Sequence, residues 1–146
     1  MKAKRSFFHK KGFTLIEIIV VVAILGVFAT IATIAVSSLK KSAEQKAANT
    51  AILSNWETVS DYFFQLNSGF GGAPSLTQLN FRTNNKVSGI GTKPATSISS
   101  GKIYVQYAEN STGGSKYTIV KITLNYKGKY YYSTNGSTVS SPSTSL

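Results

Sequence analysis

From position 18 to position 39 the chain runs for 22 residues without a charged side chain. As a helix at about 1.5 Å per residue, that run covers roughly 33 Å, close to the hydrocarbon thickness of a bilayer. A lone segment in lipid must pair its own backbone N–H and C=O groups, so a helix is the conformation open to it. The run contains no Pro, and its single Gly26 lowers helix propensity by about 1 kcal/mol relative to Ala, a cost that lipid overrides. Lys2, Lys4, Arg5, Lys10 and Lys11 precede it with no acidic residue among the first twelve. A basic flank resists translocation and orients the N-terminus to the cytoplasm. Much of the formal net charge of +11 therefore reports topology rather than affinity for nucleic acid.

The helical pattern continues past the interfacial Lys40 and Lys41. Ala48, Ile52, Trp56, Val59, Phe63 and Leu66 recur at spacings of three and four, which puts them on one stripe, with Lys46, Asn49, Asn55, Glu57 and Ser60 mostly off it. Gly69, Gly71, Gly72 and Pro74 then end the helix. Positions 69–102 read as a long, partly packed connection with one short strand or turn of helix. Beyond it, Ile103, Val105 and Tyr107 alternate, as do Val120, Ile122, Leu124 and Tyr126, and Lys127-Gly128 and Asn135-Gly136 mark turns. The fold class is α+β: one long N-terminal helix, transmembrane in its first half and amphipathic in its second, packed on a small antiparallel sheet of three to four strands. The sheet needs the helix, because so few strands with one apolar face are marginal alone.

Glu17 is the odd residue, a carboxylate at the head of the apolar run. A charge in lipid costs several kcal/mol and is usually kept for a function with a partner of opposite sign. It belongs to the segment Lys10-Lys11-Gly12-Phe13-Thr14-Leu15-Ile16-Glu17. This segment resembles the processing site of the type IV pilin and pseudopilin family: a basic leader ending in Gly, then Phe, Thr, Leu and a hydrophobic residue, with Glu fifth after the cut. Gly26 fits the same pattern. The resemblance is specific over positions 10 to about 35 and architectural beyond that.

The resemblance implies that a prepilin peptidase cuts between Gly12 and Phe13 and methylates the new Phe13 amine. Glu17, one helical turn from that amine, would pair with it in its own or a neighbouring subunit and support assembly. The implied partners are further copies and related pilins, the peptidase, a membrane assembly platform and a cytoplasmic ATPase. The implied course is from a single-pass cytoplasmic-membrane precursor to a surface filament, for which motility and adhesion are the usual uses. The implied organisation is a cleaved leader (1–12), a transmembrane and assembly helix (13–39), its amphipathic continuation (40–68), an αβ-loop (69–102), the antiparallel sheet (103–136) and a mobile Ser/Thr-rich tail (137–146). Two departures stand out. Many members carry a Pro in the second half of the span, where this chain has Ile34, and many close a C-terminal loop with a disulfide, whereas this chain has no Cys.

Other readings compete. A secretory signal peptide could end at Thr33-Ile34-Ala35, but its apolar core would be shorter and Glu17 would be unexplained. An exported domain that stays anchored and never polymerises is a further alternative. Lys127, Lys129, Tyr130, Tyr131 and Tyr132 form a candidate ligand surface, since positive charge beside rings suits single-stranded nucleic acid or acidic glycans. That would make the chain a minor pilin or competence-type pseudopilin that binds DNA or an adhesion ligand. Lysines at a strand edge also serve simply to block edge pairing. No enzyme, cofactor or metal is expected. The chain beyond position 12 has neither His nor Cys, and Glu109 is the only acid after Asp61.

Overall fold

The computed structural model describes residues 12–83, 86–111 and 114–146. The leader expected at 1–12 thus lies outside the described residues except for Gly12, as do two positions of the turn cluster near 110–114. The chain divides into two units, Met1–Lys41 and Ser42–Leu146, and helix α1 (Leu15–Asn67) runs through both. It is followed by α2 (Leu76–Arg82), β1 (Val87–Gly91), β2 (Ile103–Glu109), β3 (Tyr117–Tyr126) and β4 (Lys129–Ser133). In the first unit the apolar side chains of α1 point outward: Phe13, Leu15, Ile34 and Leu39 are all more than two-thirds exposed. Thr30, Thr33, Ser37 and Ser38 donate their hydroxyls to carbonyls three or four residues back at 2.7–2.9 Å, so these groups are satisfied within the helix.

In the second unit Ala48, Ile52, Val59, Phe63 and Leu66 of α1 are buried against the sheet, with Asn55 and Tyr62 beside them. Trp56, on the same predicted stripe, is only partly buried. Asn55 tolerates burial because its Nδ2 donates to the Ala51 carbonyl at 2.7 Å. The sheet order is β1-β2-β3-β4. β2, β3 and β4 are antiparallel as expected, but β1 joins β2 in parallel, so the sheet is mixed. The 92–102 crossover makes the parallel pairing possible. Asn125 holds that crossover, donating from Nδ2 to the Ile98 carbonyl (2.7 Å) and accepting at its own carbonyl from Gly101 N–H (2.7 Å). The β3–β4 turn has positive φ at both Lys127 and Gly128, the combination that a two-residue hairpin requires.

A bulge breaks the alternation of β3. Val105 pairs with Ile122 and Gln106 with Lys121, but Tyr107 pairs with Ile119, which leaves Val120 as the extra residue. The inward face therefore changes phase, with Tyr117 and Ile119 inward before the bulge and Ile122 and Leu124 inward after it. Val120, expected on the apolar side, is 40% exposed for this reason.

The tail shows an anchor that its composition hides. Tyr130 and Ser143 exchange backbone bonds at 2.8 and 3.0 Å, and Ser140 N–H donates to the Tyr132 carbonyl. These bonds cover the outer edge of β4.

Two core tyrosines make the second unit sensitive to alkali. Burial pushes the Tyr131 phenol above its ordinary value, aided by Glu44, and does the same to Tyr107, aided by Glu109. A raised phenol favours the folded state while it is neutral. That contribution is whole below the unfolded value of about 10 and is lost as pH rises through the folded one. Unfolding of the full chain in detergent is thus expected to become easier above about pH 10, with Tyr131→Phe moving the onset upward. Tyr131→Ala should instead cost about 3–5 kcal/mol at neutral pH, as for other large-to-small core changes.

Candidate functional site

The functional segment is the head of α1. Thr14 is its N-cap and Glu17 its third helical residue, and the two bond reciprocally. Thr14 N–H and Oγ1–H donate to Glu17 Oε2 at 2.8 and 2.9 Å, and Glu17 N–H donates to Thr14 Oγ1 at 3.3 Å. This is a capping box, in which side chains satisfy backbone donors that the first helical turn leaves open. The T-x-x-E spacing was available in the sequence as a helix-start signal and adds a local role for Glu17 to the one expected in assembly.

Gly12 and Gly26 carry a different kind of information. A Cβ at either position would meet nothing within 4 Å, and neither has a positive φ. Among the described residues nothing therefore requires glycine there. A requirement at Gly12 would have to come from an outside agent that reads the main chain closely. At Gly26 it would come from a neighbour approaching the helix, as small residues permit in membrane packing. Phe13, directly after Gly12, is 84% exposed.

The five residues of the candidate ligand surface are divided between settings. Tyr131 is 2% exposed and belongs to the core, whereas Tyr132 is 42% exposed. Lys127 Nζ lies 3.0 Å from Glu44 Oε1, an ion pair that holds its pKa above the ordinary lysine value. Lys129 and Tyr130 are half-buried, and the Tyr130 backbone is engaged by Ser143. The cation nearest the exposed ring is Lys121, 5.4 Å from the Tyr132 centroid, which was missed in the sequence. Counting back from the Lys127-Gly128 turn pairs Thr123 with Tyr132 and so puts Lys121 on the same face. Among the described residues no cluster of three or more His, Cys, Asp or Glu could hold a metal ion.

Residues 8–33 match the family model described as the prokaryotic N-terminal methylation motif. No curated protein and no solved structure shows a significant match to the chain. The chain thus carries the class III leader of type IV pilins at the head of an exposed apolar helix. The motif supports a pilin- or pseudopilin-type precursor, anchored in the membrane, and a leader of this type implies processing by a prepilin peptidase and assembly with other pilins.

Proposed function

We propose that the chain is a structural subunit that polymerises into a type IV pilus or related surface filament after cleavage between Gly12 and Phe13. The observation that carries this reading is the head of α1. A carboxylate, Glu17, stands at the start of a helix whose large apolar side chains, as far as Leu39, are exposed among the described residues. Such a surface needs lipid before assembly and other helices after it. In the mature subunit the Phe13 amine, methylated by the peptidase, lies one turn from Glu17 and neutralises it or its counterpart in the next copy. Each copy then repeats one rotation and rise, which yields an open filament rather than a ring. Extension and membrane extraction are the work of an assembly platform and a cytoplasmic ATPase.

Mass measurement of the protein from sheared, purified filaments tests the reading. The expected species begins at methylated Phe13. A species beginning near Val36 would instead identify a removed signal peptide and end the proposal. Abundance in the same filaments separates a major subunit from a minor one. The second reading, a minor subunit that binds nucleic acid or an acidic ligand, draws on Lys121 over the exposed Tyr132 ring.

A further inference from the structure

The second unit carries an acidic stripe that forms no ion pair among the described residues. On α1, Glu57, Asp61 and Phe64 follow at spacings of four and three on the face opposite the core stripe, and all three are exposed, Phe64 to 72%. Two carboxylates at i and i+4 repel each other and weaken the helix that bears them. Among the described residues neither is in an ion pair, the one salt bridge being Lys127 with Glu44. Within Ser42–Leu146 only four acids stand against nine Lys and Arg residues. Basic units packed side by side in a polymer repel one another unless their few acids face bases across the contact.

A cleft of complementary chemistry lies beside the stripe and takes Tyr62 and Gln65 of the same helix into its lining. This cleft, of about 330 Å³, is walled by Phe70 and Phe81, which are 78% and 85% exposed, and headed by Arg82. Arg82 is held in place rather than free to wander. Its Nη2 donates to Gln65 Oε1 at 2.7 Å, and its Cζ lies 5.4 Å from the Tyr62 ring centroid. Its guanidinium has no carboxylate partner among the described residues, and Lys86, also exposed, lies just beyond α2. Aromatic walls under a fixed guanidinium suit an aromatic side chain with a carboxylate one turn away. Phe64 with Asp61 supplies that pair.

We infer that the Glu57–Asp61–Phe64 stripe of one copy docks into the Phe70/Phe81/Arg82 cleft of the next, an inference that rests on the filament reading above. The stripe and the cleft share no residue, so one step repeated from copy to copy that seats the first in the second is head-to-tail and propagates. Phe64 packs between Phe70 and Phe81, Asp61 accepts from Arg82, and Glu57 faces Lys86.

Charge exchange in the full-length chain, in cells that carry the assembly machinery, tests it. Asp61→Arg and Arg82→Asp should each lower filament yield about tenfold or more, and the double variant should recover to within about threefold of the parent. Arg82→Asp also removes the Gln65 and Tyr62 contacts, so Phe81→Ser, at a site exposed in the single chain, serves as a second probe and should lower yield with an unchanged membrane pool. The chain has no Cys, so co-produced Asp61→Cys and Arg82→Cys copies can join only through each other or their own kind. A mixed disulfide dimer in oxidised filaments is the expected product. Normal filaments from both charge variants and from Phe81→Ser, or no mixed dimer, would overturn the contact while leaving the filament reading intact. Absence of filaments from the unmodified chain would overturn both.

Discussion

A Glu17→Ala chain is expected to enter the membrane and be cleaved at a near-normal rate, yet to yield at least about tenfold fewer filaments, because each such factor needs only about 1.4 kcal/mol. Two roles of Glu17 could produce the loss, and they separate by substitution. As the third residue of a capping box it bonds Thr14, and loss of the Thr14 cap alone costs about 0.5–2 kcal/mol of helix stability. In the pairing proposed above it would act as a counter-charge to an amine that lipid or a dry helix bundle would otherwise leave uncompensated, worth several kcal/mol. Gln retains the reciprocal bonding of a capping box but not the charge. Filament yield from Glu17→Gln close to that from Glu17→Ala would assign the effect to charge. Normal yield from Glu17→Gln, with low yield from Thr14→Ala, would assign it to the cap and count against the pairing proposed above. Cleavage is read separately, from the shift in mass between precursor and mature chain.

The long helix was legible because two independent signals coincide in it: an uncharged run and a stripe spaced by three and four. The hairpin was legible from Lys127-Gly128, where both residues take the positive φ that such turns need. β1 was not. It reads Val-Ser-Gly-Ile-Gly, with no alternation, and its shape depends on a distant residue. A side chain at Gly89 would strike the Tyr104 ring and one at Gly91 its hydroxyl, so Tyr104 lies across this glycine-rich edge and covers it. The phase change in β3 was equally hidden, since a bulge is a property of two paired strands and Val120 looks apolar from one. Asn67 gives a third case: its amide exchanges two 2.8 Å bonds with the Tyr117 backbone, tying the end of α1 to a strand fifty residues away. In the candidate site the motif at 10–17 was plain, but the division of the Lys/Tyr surface required the register. Tyr131 and Tyr132 are neighbours in sequence and opposites in exposure.

Closure of the C-terminal region without a disulfide leads to the second large effect, at Gly136. Its φ is +69°, and a Cβ there would collide with the Trp56 indole of α1. Around it Asn135 Oδ1 accepts from the N–H groups of Ser137 and Thr138, each at 3.0 Å, and Gly136 N–H donates to the buried Ser133 hydroxyl at 3.1 Å. The turn is therefore held in a left-handed conformation and pressed on a ring that also packs against the core. Gly136→Ala should cost about 1–2 kcal/mol for the backbone and about 1–3 more for the forced repacking. Asn adopts positive φ more readily than other non-glycine residues, so Gly136→Asn retains the collision while relieving much of the backbone strain. A Trp56→Ala background removes the collision and leaves the strain, so Gly136→Ala should cost only the backbone part there. Urea unfolding of the four chains of that cycle in detergent gives the coupling directly. Additive losses in Trp56→Ala and Gly136→Ala would mean that the indole and the turn do not support each other. A coupling of about 1–3 kcal/mol is the expected result for residues in contact, and it would make this turn the packing substitute for the missing disulfide.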